Sequence, residues 1–168
     1  MQNLCVIPAK LVSKRLPSKN IKFFFGKPII YYSIKAALES RLFSKVFVST
    51  DSMKIAKISE KYGAEVDFLR PKSLAGPKTS IKSVVKNVIK SFENENIFFD
   101  FVCCLFPIAP LTTKYSLRNS YIKIKKSKFN FIFPATSPYG TNQHFFKVNN
   151  NFKIVKLFKK KPKKNLKN

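Results

Sequence analysis

Four cations, Lys10, Lys14, Arg15 and Lys19, crowd one short loop, with Ser13 and Asn20 among them. The loop leaves a β-branched apolar run, Leu4-Cys-Val-Ile-Pro-Ala9, that reads as a buried strand, and Pro17 bars a helix through it. Ligands of an open α/β sheet bind beyond the carboxyl ends of its strands. Cations gathered there suit an anion, most simply the phosphates of a nucleotide. Ser13 and Asn20 add neutral hydrogen-bonding groups for phosphate or ribose. Asp51, in Ser49-Thr50-Asp51, is the best acidic candidate near a second strand end, with a turn or helix-cap role as its alternative.

Apolar spacing supplies the elements that would hold this loop. Strands are expected at Leu4–Ile7, Lys45–Ser49, Glu65–Phe68, Phe101–Phe106 and Asn130–Pro134, with Phe101–Phe106 apolar throughout, as a central strand buried on both faces should be. Helices are expected at Ile29–Leu42 behind Pro28, after Ser52 as cap with Gly63 at the end, after Thr79 or Ser80, and near Tyr115–Lys126. The third carries Ile81, Val84, Val85, Val88, Ile89 and Phe92 on one stripe. Alternating strands and helices predict an α/β fold with a mostly parallel sheet and helices on both faces. Beyond Asn142 the pattern weakens; Phe145–Val148 and Lys153–Phe158 suit a hairpin, and 159–168 reads as a solvated, disordered basic tail.

Length and hydrophobic content of 45% fit one globular domain. The net charge of +25, from 33 basic and 8 acidic residues, is almost all lysine. Specific nucleic-acid readers favour the planar fork of arginine, so non-specific attraction at low salt is expected and a specific nucleic-acid partner is not. Cys5, Cys103 and Cys104 fall in expected core strands, and with His144 as the only histidine no zinc spacing exists. Structural thiols in a reducing cytoplasm are the expectation. The first residues lack a signal-peptide pattern, and no apolar run nears the ~20 residues of a membrane span. A cytoplasmic protein without a membrane partner is expected.

Residues Ala9 to Asn20 resemble the signature A-R-x-x-S-K-R-[IL]-P-x-K-N of the sugar cytidylyltransferases, which join CMP to acidic sugars. Ser13-Lys14-Arg15-Leu16-Pro17, Lys19 and Asn20 match, with Lys10 in place of Arg and Leu11-Val12 where small residues are common. Phe25-Gly-Lys-Pro28, Ala36-Ala-Leu-Glu-Ser40, Val48-Ser-Thr-Asp51, Lys61-Tyr-Gly-Ala64 and Leu69-Arg-Pro71 follow in order. Phe101 to Phe106, Ala109-Pro110 and Phe131 to Ser137 are most similar to the pseudaminic acid branch.

The resemblance spans 1–158, the expected domain, and implies a three-layer, Rossmann-like nucleotidyltransferase. Its implied reaction transfers CMP from CTP to an acidic nonulosonic sugar, releasing pyrophosphate, with Mg²⁺ as cofactor and a homodimer as a candidate assembly. Acceptors of the N-acylneuraminate or 3-deoxy-octulosonate type stay open, as does a non-catalytic basic nucleotide- or nucleic-acid-binding module. Lys14 and Lys19 are the implied catalytic cations. Ala9, Lys10, Ser13, Arg15, Asn20, Arg70 and Ser80 are implied at the nucleotide, Ser80 near the cytosine and also a candidate helix cap, and Phe106 at the sugar. The family's key metal-binding aspartate lies in a later segment, leaving Asp51 as the only weak substitute, so the chain reads as a nucleotide-binding half, incomplete at its C-terminus.

Overall fold

The computed structural model describes residues 1–13 and 16–135, together with the backbone of 146–148 and 154–156. Two compact units divide the chain, Met1–Phe131 and Ile132–Asn168. The first is built on a parallel sheet whose centre is β1 (Asn3–Pro8), a strand buried along its whole length. The two-residue strands β2 (Phe23–Phe24) and β3 (Lys27–Pro28) form a hairpin that leads into helix α1 (Ile29–Ser40). Strand β4 (Lys45–Ser49), helices α2 (Met53–Lys61) and α3 (Ile81–Glu93), strand β5 (Phe101–Cys104) and helix α4 (Lys114–Lys126) follow. The sheet order is β4-β1-β5, with Cys5 opposite Val46 on one side and Cys103 on the other.

Alternation along the strands separates two cores. Cys5, Ile7, Val46 and Val48 face α1 and α2, where Ile30, Ile34, Ala37 and Ile55 meet them. Leu4, Val6 and Phe47 face α3 and bury Val88 and Phe92. Phe47 lies 4.7 Å from Phe68 and 5.3 Å from Phe92, ring centre to ring centre, an aromatic packing worth more than area alone. Helix α4 lies outside α1, where Arg118 Nε donates to the carbonyl of Ser40 (2.9 Å). The three-layer α/β architecture expected from the pattern is the one formed.

Caps fix the helix starts. Ser52 accepts from the N–H of Ile55, Ser80 from Ser83, and Thr113 shares a reciprocal cap with Ser116. Arg41, in the left-handed region at φ 55°, ends α1 two residues before the expected Leu42.

Three expectations are corrected. The segment Glu65–Phe68 forms only a bridge, Glu65 to Phe47, because its backbone pairs with β4 at that one point. No strand forms at Asn130–Pro134. The stretch from Phe101 is an edge strand in the described sheet, and it is not buried on both faces: Val102 and Cys104 are exposed. Helix α3 covers β1 and β4 and does not reach across to β5, so the apolar run is half-clad. The reading of all three cysteines as core thiols therefore holds for Cys5 and fails for Cys104. In the second unit the expected hairpin is present as β6 (Phe146–Val148) and β7 (Ile154–Lys156), antiparallel with Lys147 opposite Val155. The tail 159–168 and His144 lie outside the described residues.

Candidate nucleotide site

Two strand ends, those of β1 and β5, open on one cavity, and the end of β4 supports it from behind through Arg70. Beyond β1 the chain passes Pro8 and Lys10; beyond β4 it reaches Asp51; beyond β5 it turns at Phe106. A cavity of about 530 Å³ opens there, walled by Lys10, Lys19, Asn20, Arg70, Thr79 and Phe106 among others. Among the described residues no acidic side chain lines it.

Two polar wall residues, Asn20 and Arg70, are held from behind by hydrogen bonds. Asn20 is 2% exposed; its Nδ2 donates to the carbonyl of Lys10 (2.8 Å), tying the two ends of the loop together. Its Oδ1 is buried without a partner among the described residues, an acceptor that a ligand donor would satisfy. A left-handed Ser18 (φ 51°) then starts a short 3-10 helix, Lys19–Ile21, which brings Lys19 to the cavity.

Arg70 is 6% exposed. Its Nε donates to Ser49 Oγ (3.1 Å) and its Nη2 to the Ser49 carbonyl, and its own N–H donates to Thr50 O (2.7 Å). Burial pushes the guanidinium pKa down, partly offset by the Asp51 charge. No carboxylate pairs with it within ion-pair distance among the described residues. A buried cation of this kind is costly unless an anion compensates it.

Asp51 is committed to the scaffold, its Oδ1 accepting the N–H of Leu11 at 3.1 Å. That contact takes one amide of the loop away from any phosphate. Neither Leu11 nor Val12 has a positive φ, so side chains where glycines would be permissive cost no backbone strain. Ser33 Oγ donates to the Phe106 carbonyl (2.8 Å) and fixes the turn, whose Phe106 and Ile108 form an apolar lip.

Of the residues expected at the site, Lys10, Lys19, Asn20, Arg70 and Phe106 share the cavity wall. Ala9 is fully buried under α1, its N–H donating to Ser49 O (2.9 Å); Ser13 is half-buried and outside the wall; Ser80 caps α3 while its neighbours Thr79 and Ile81 line the cavity. Lys14 and Arg15 lie outside the described residues. Sequence reasoning missed Thr79, Leu74, Gly76 and Pro107 to Ala109, whose only signal was their place beside Ser80 and Phe106.

Magnesium needs oxygen ligands that these side chains do not gather. Among the described residues no three His, Cys, Asp or Glu side chains come together as metal ligands, and the one nearby carboxylate is occupied by Leu11. The described residues by themselves do not fit the ion.

The fold is shared with a solved enzyme: the chain superimposes on a CMP:2-keto-3-deoxy-manno-octonic acid synthetase complexed with CTP at a TM-score of 0.63, with 20% identity, covering 74% of this chain and 48% of that one. The family model described as Cytidylyltransferase matches residues 4–164, and the chain belongs to that family. It is 42% identical over 154 residues to the pseudaminic acid cytidylyltransferase of Campylobacter jejuni serotype O:2, covering 92% of this chain and 66% of the relative. It is 39% identical over 120 residues to the CMP-N,N'-diacetyllegionaminic acid synthase of Legionella pneumophila, covering 71% and 52%. The chain thus spans slightly less than two-thirds of the Campylobacter relative's length.

Proposed function

We propose that the cavity binds CTP and that the protein transfers CMP from it to an acidic nonulosonic sugar, with pseudaminic acid the favoured acceptor. The observation that carries this is Arg70, a buried guanidinium with no carboxylate at ion-pair distance among the described residues, opening on the same cavity as Lys10 and Lys19. A triphosphate supplies the missing negative charge. In the reaction a sugar hydroxyl attacks the α-phosphorus; a new P–O bond forms as the bond to the β-phosphate oxygen breaks, the hydroxyl proton passes to solvent, and pyrophosphate leaves. Lys10, Lys19 and Arg70 hold the phosphates and neutralise charge on the leaving group. The Asn20 Oδ1 takes a donor from the nucleoside, and the Phe106–Ile108 lip receives the acceptor's apolar substituents. The names of the 42% and 39% identical relatives support an acidic sugar acceptor. Mg²⁺ is part of this reading at the level of the family; no step above passes through it.

Calorimetric titration with CTP tests the nucleotide half. Lys19→Ala and Arg70→Met should each lose roughly 1.5–3 kcal/mol of binding, about ten- to a hundredfold, the scale of a hydrogen bond to a charged group. Unchanged affinity in folded variants sinks the assignment. Pyrophosphate release with CTP and, in turn, pseudaminic acid, N-acetylneuraminic acid and 3-deoxy-octulosonic acid ranks the acceptors.

A further inference from the structure

The β2–β3 hairpin carries the least expected surface of the molecule. Its sequence, Lys22-Phe-Phe-Phe-Gly-Lys27, sets three phenylalanines between two exposed lysines. Phe23 is 77% exposed and Phe25 is 87% exposed. The corner residues Phe25 (φ 45°) and Gly26 (φ 76°) both lie in the left-handed region, a turn that favours Asn, Asp or Gly at both places. A phenylalanine at such a corner is strained, and its ring stands edge-on to Phe24 at 4.7 Å while staying 87% exposed. The hairpin is nonetheless rigidly held. The Tyr32 hydroxyl sits 2.7 Å from the Phe24 carbonyl and 3.0 Å from that of Phe25, and Ile29 N–H donates to Lys22 O at 2.8 Å.

We infer that this hairpin docks the protein on an anionic lipid surface, with Phe23 and Phe25 entering the headgroup–acyl boundary and Lys22 and Lys27 meeting the lipid charge. Charge selects this occupant. No acidic residue precedes Glu39, so the first 38 residues offer seven cations and no carboxylate among them, and the whole chain carries +25. A second copy would bring the same positive charge to the same place. Nucleic acid is disfavoured because Phe24, between the two exposed rings, has its neighbours Phe25 and Tyr32 edge-on to it (88° and 84°) and so is not stacked face to face with either, unlike an aromatic platform on which successive bases stack. A rigid aromatic tip with flanking lysines combines apolar insertion with attraction to anionic headgroups. The absence of a spanning segment, which led the sequence to suggest no membrane partner, says nothing about such a surface contact.

Flotation of the full chain with vesicles of phosphatidylcholine alone, or with about one-third phosphatidylglycerol, tests this. Binding is expected to the anionic vesicles only, and Phe23→Ser with Phe25→Asn should weaken it at least tenfold while leaving the circular dichroism spectrum unchanged. A second variant is independent of that pair: the chain has no tryptophan, so Phe23→Trp is a single probe whose emission should shift to the blue and be quenched by brominated lipid on anionic vesicles. No binding, equal binding to neutral vesicles, or a double variant that binds like the parent would overturn the inference, the last by showing lysine attraction alone. Tryptophan emission from the Phe23→Trp variant that neither shifts nor is quenched overturns it too, as does a concentration-dependent dimer that the double variant abolishes.

Discussion

Side chains at the strand ends do different work from what their types suggest. Asp51 is acidic and near an anion site, yet its carboxylate holds the Leu11 amide and leans on Arg70 electrostatically. Ser80 could face a base, yet its hydroxyl accepts from Ser83 N–H at 3.0 Å. Cys104 is exposed and yet should be a poor nucleophile, because partial burial and then the neighbouring Cys103 push its thiol from 9.0 up to about 11. Its thiolate is scarce at neutral pH and grows only as pH approaches that value. Iodoacetamide labelling followed by peptide mass spectrometry should find Cys104 modified at pH 7.5 roughly tenfold or more slower than an unperturbed exposed cysteine, with the rate still climbing above pH 10. Labelling at an ordinary rate would show that the thiol is freer than its surroundings imply. Cys5 sits opposite Cys103, and the hydrogen bond between the two thiols raises the first and lowers the second.

Among the elements, β4 is the organiser, since its end supports the loop after β1 and Arg70, and its start anchors the chain after α2. Lys45 Nζ pairs with Glu65 and, at 2.9 Å, with Asp67. Burial works to lower the Lys45 ammonium pKa, but the bonds to Asp67 and Glu65 outweigh it and hold the group above its usual 10.5. A lysine raised on folding contributes its stability fully below pH 10.5 and loses it as pH rises through the higher folded value. Lys45→Met should therefore cost about 1 kcal/mol at pH 7 and less at high salt, since both partners are partly exposed. Denaturant melts of both proteins at pH 7 and pH 11 check it; a difference that grows at pH 11 contradicts the pairing. Strands β1 and β4 and helices α1 and α3 were legible in the sequence, because caps, Pro28 and apolar period agree there. The β2–β3 hairpin was not, since six residues with Phe at a left-handed corner resemble no turn signal. Strand β5 misled because an apolar run reports what a strand tolerates on its faces and carries no information on whether a helix lies over each. Site residues far apart in sequence, such as Lys19 and Phe106, were tied to one place by motif, whereas Thr79 and Ile108 depend on loop paths that no local pattern encodes.

At the scale of the molecule, charge dominates. With +25 on 168 residues the protein should bind any polyanion at low salt, without sequence preference. Fluorescence anisotropy with unrelated duplexes should give equal affinities at ~50 mM salt that collapse by roughly 10³-fold or more at ~200 mM, following counterion release. Discrimination between sequences that survives the higher salt would point to a specific nucleic-acid role instead.

The central place of β1 also sets a clock. Its two partners lie far along the chain: β4 starts at residue 45, β5 only at 101, about fifty residues later. At ~5–20 residues per second of synthesis, one edge of β1 waits roughly three to ten seconds longer than the other for its neighbour. During that interval the nascent chain carries the first strand, α1 and β4 as an incomplete sheet, with an open line of backbone donors and acceptors from Asn3 to Val6. Such an edge invites pairing with another chain. The protein that is made first-strand-first is thus finished from the middle outwards, and its most buried segment is, at birth, the one most in need of a chaperone.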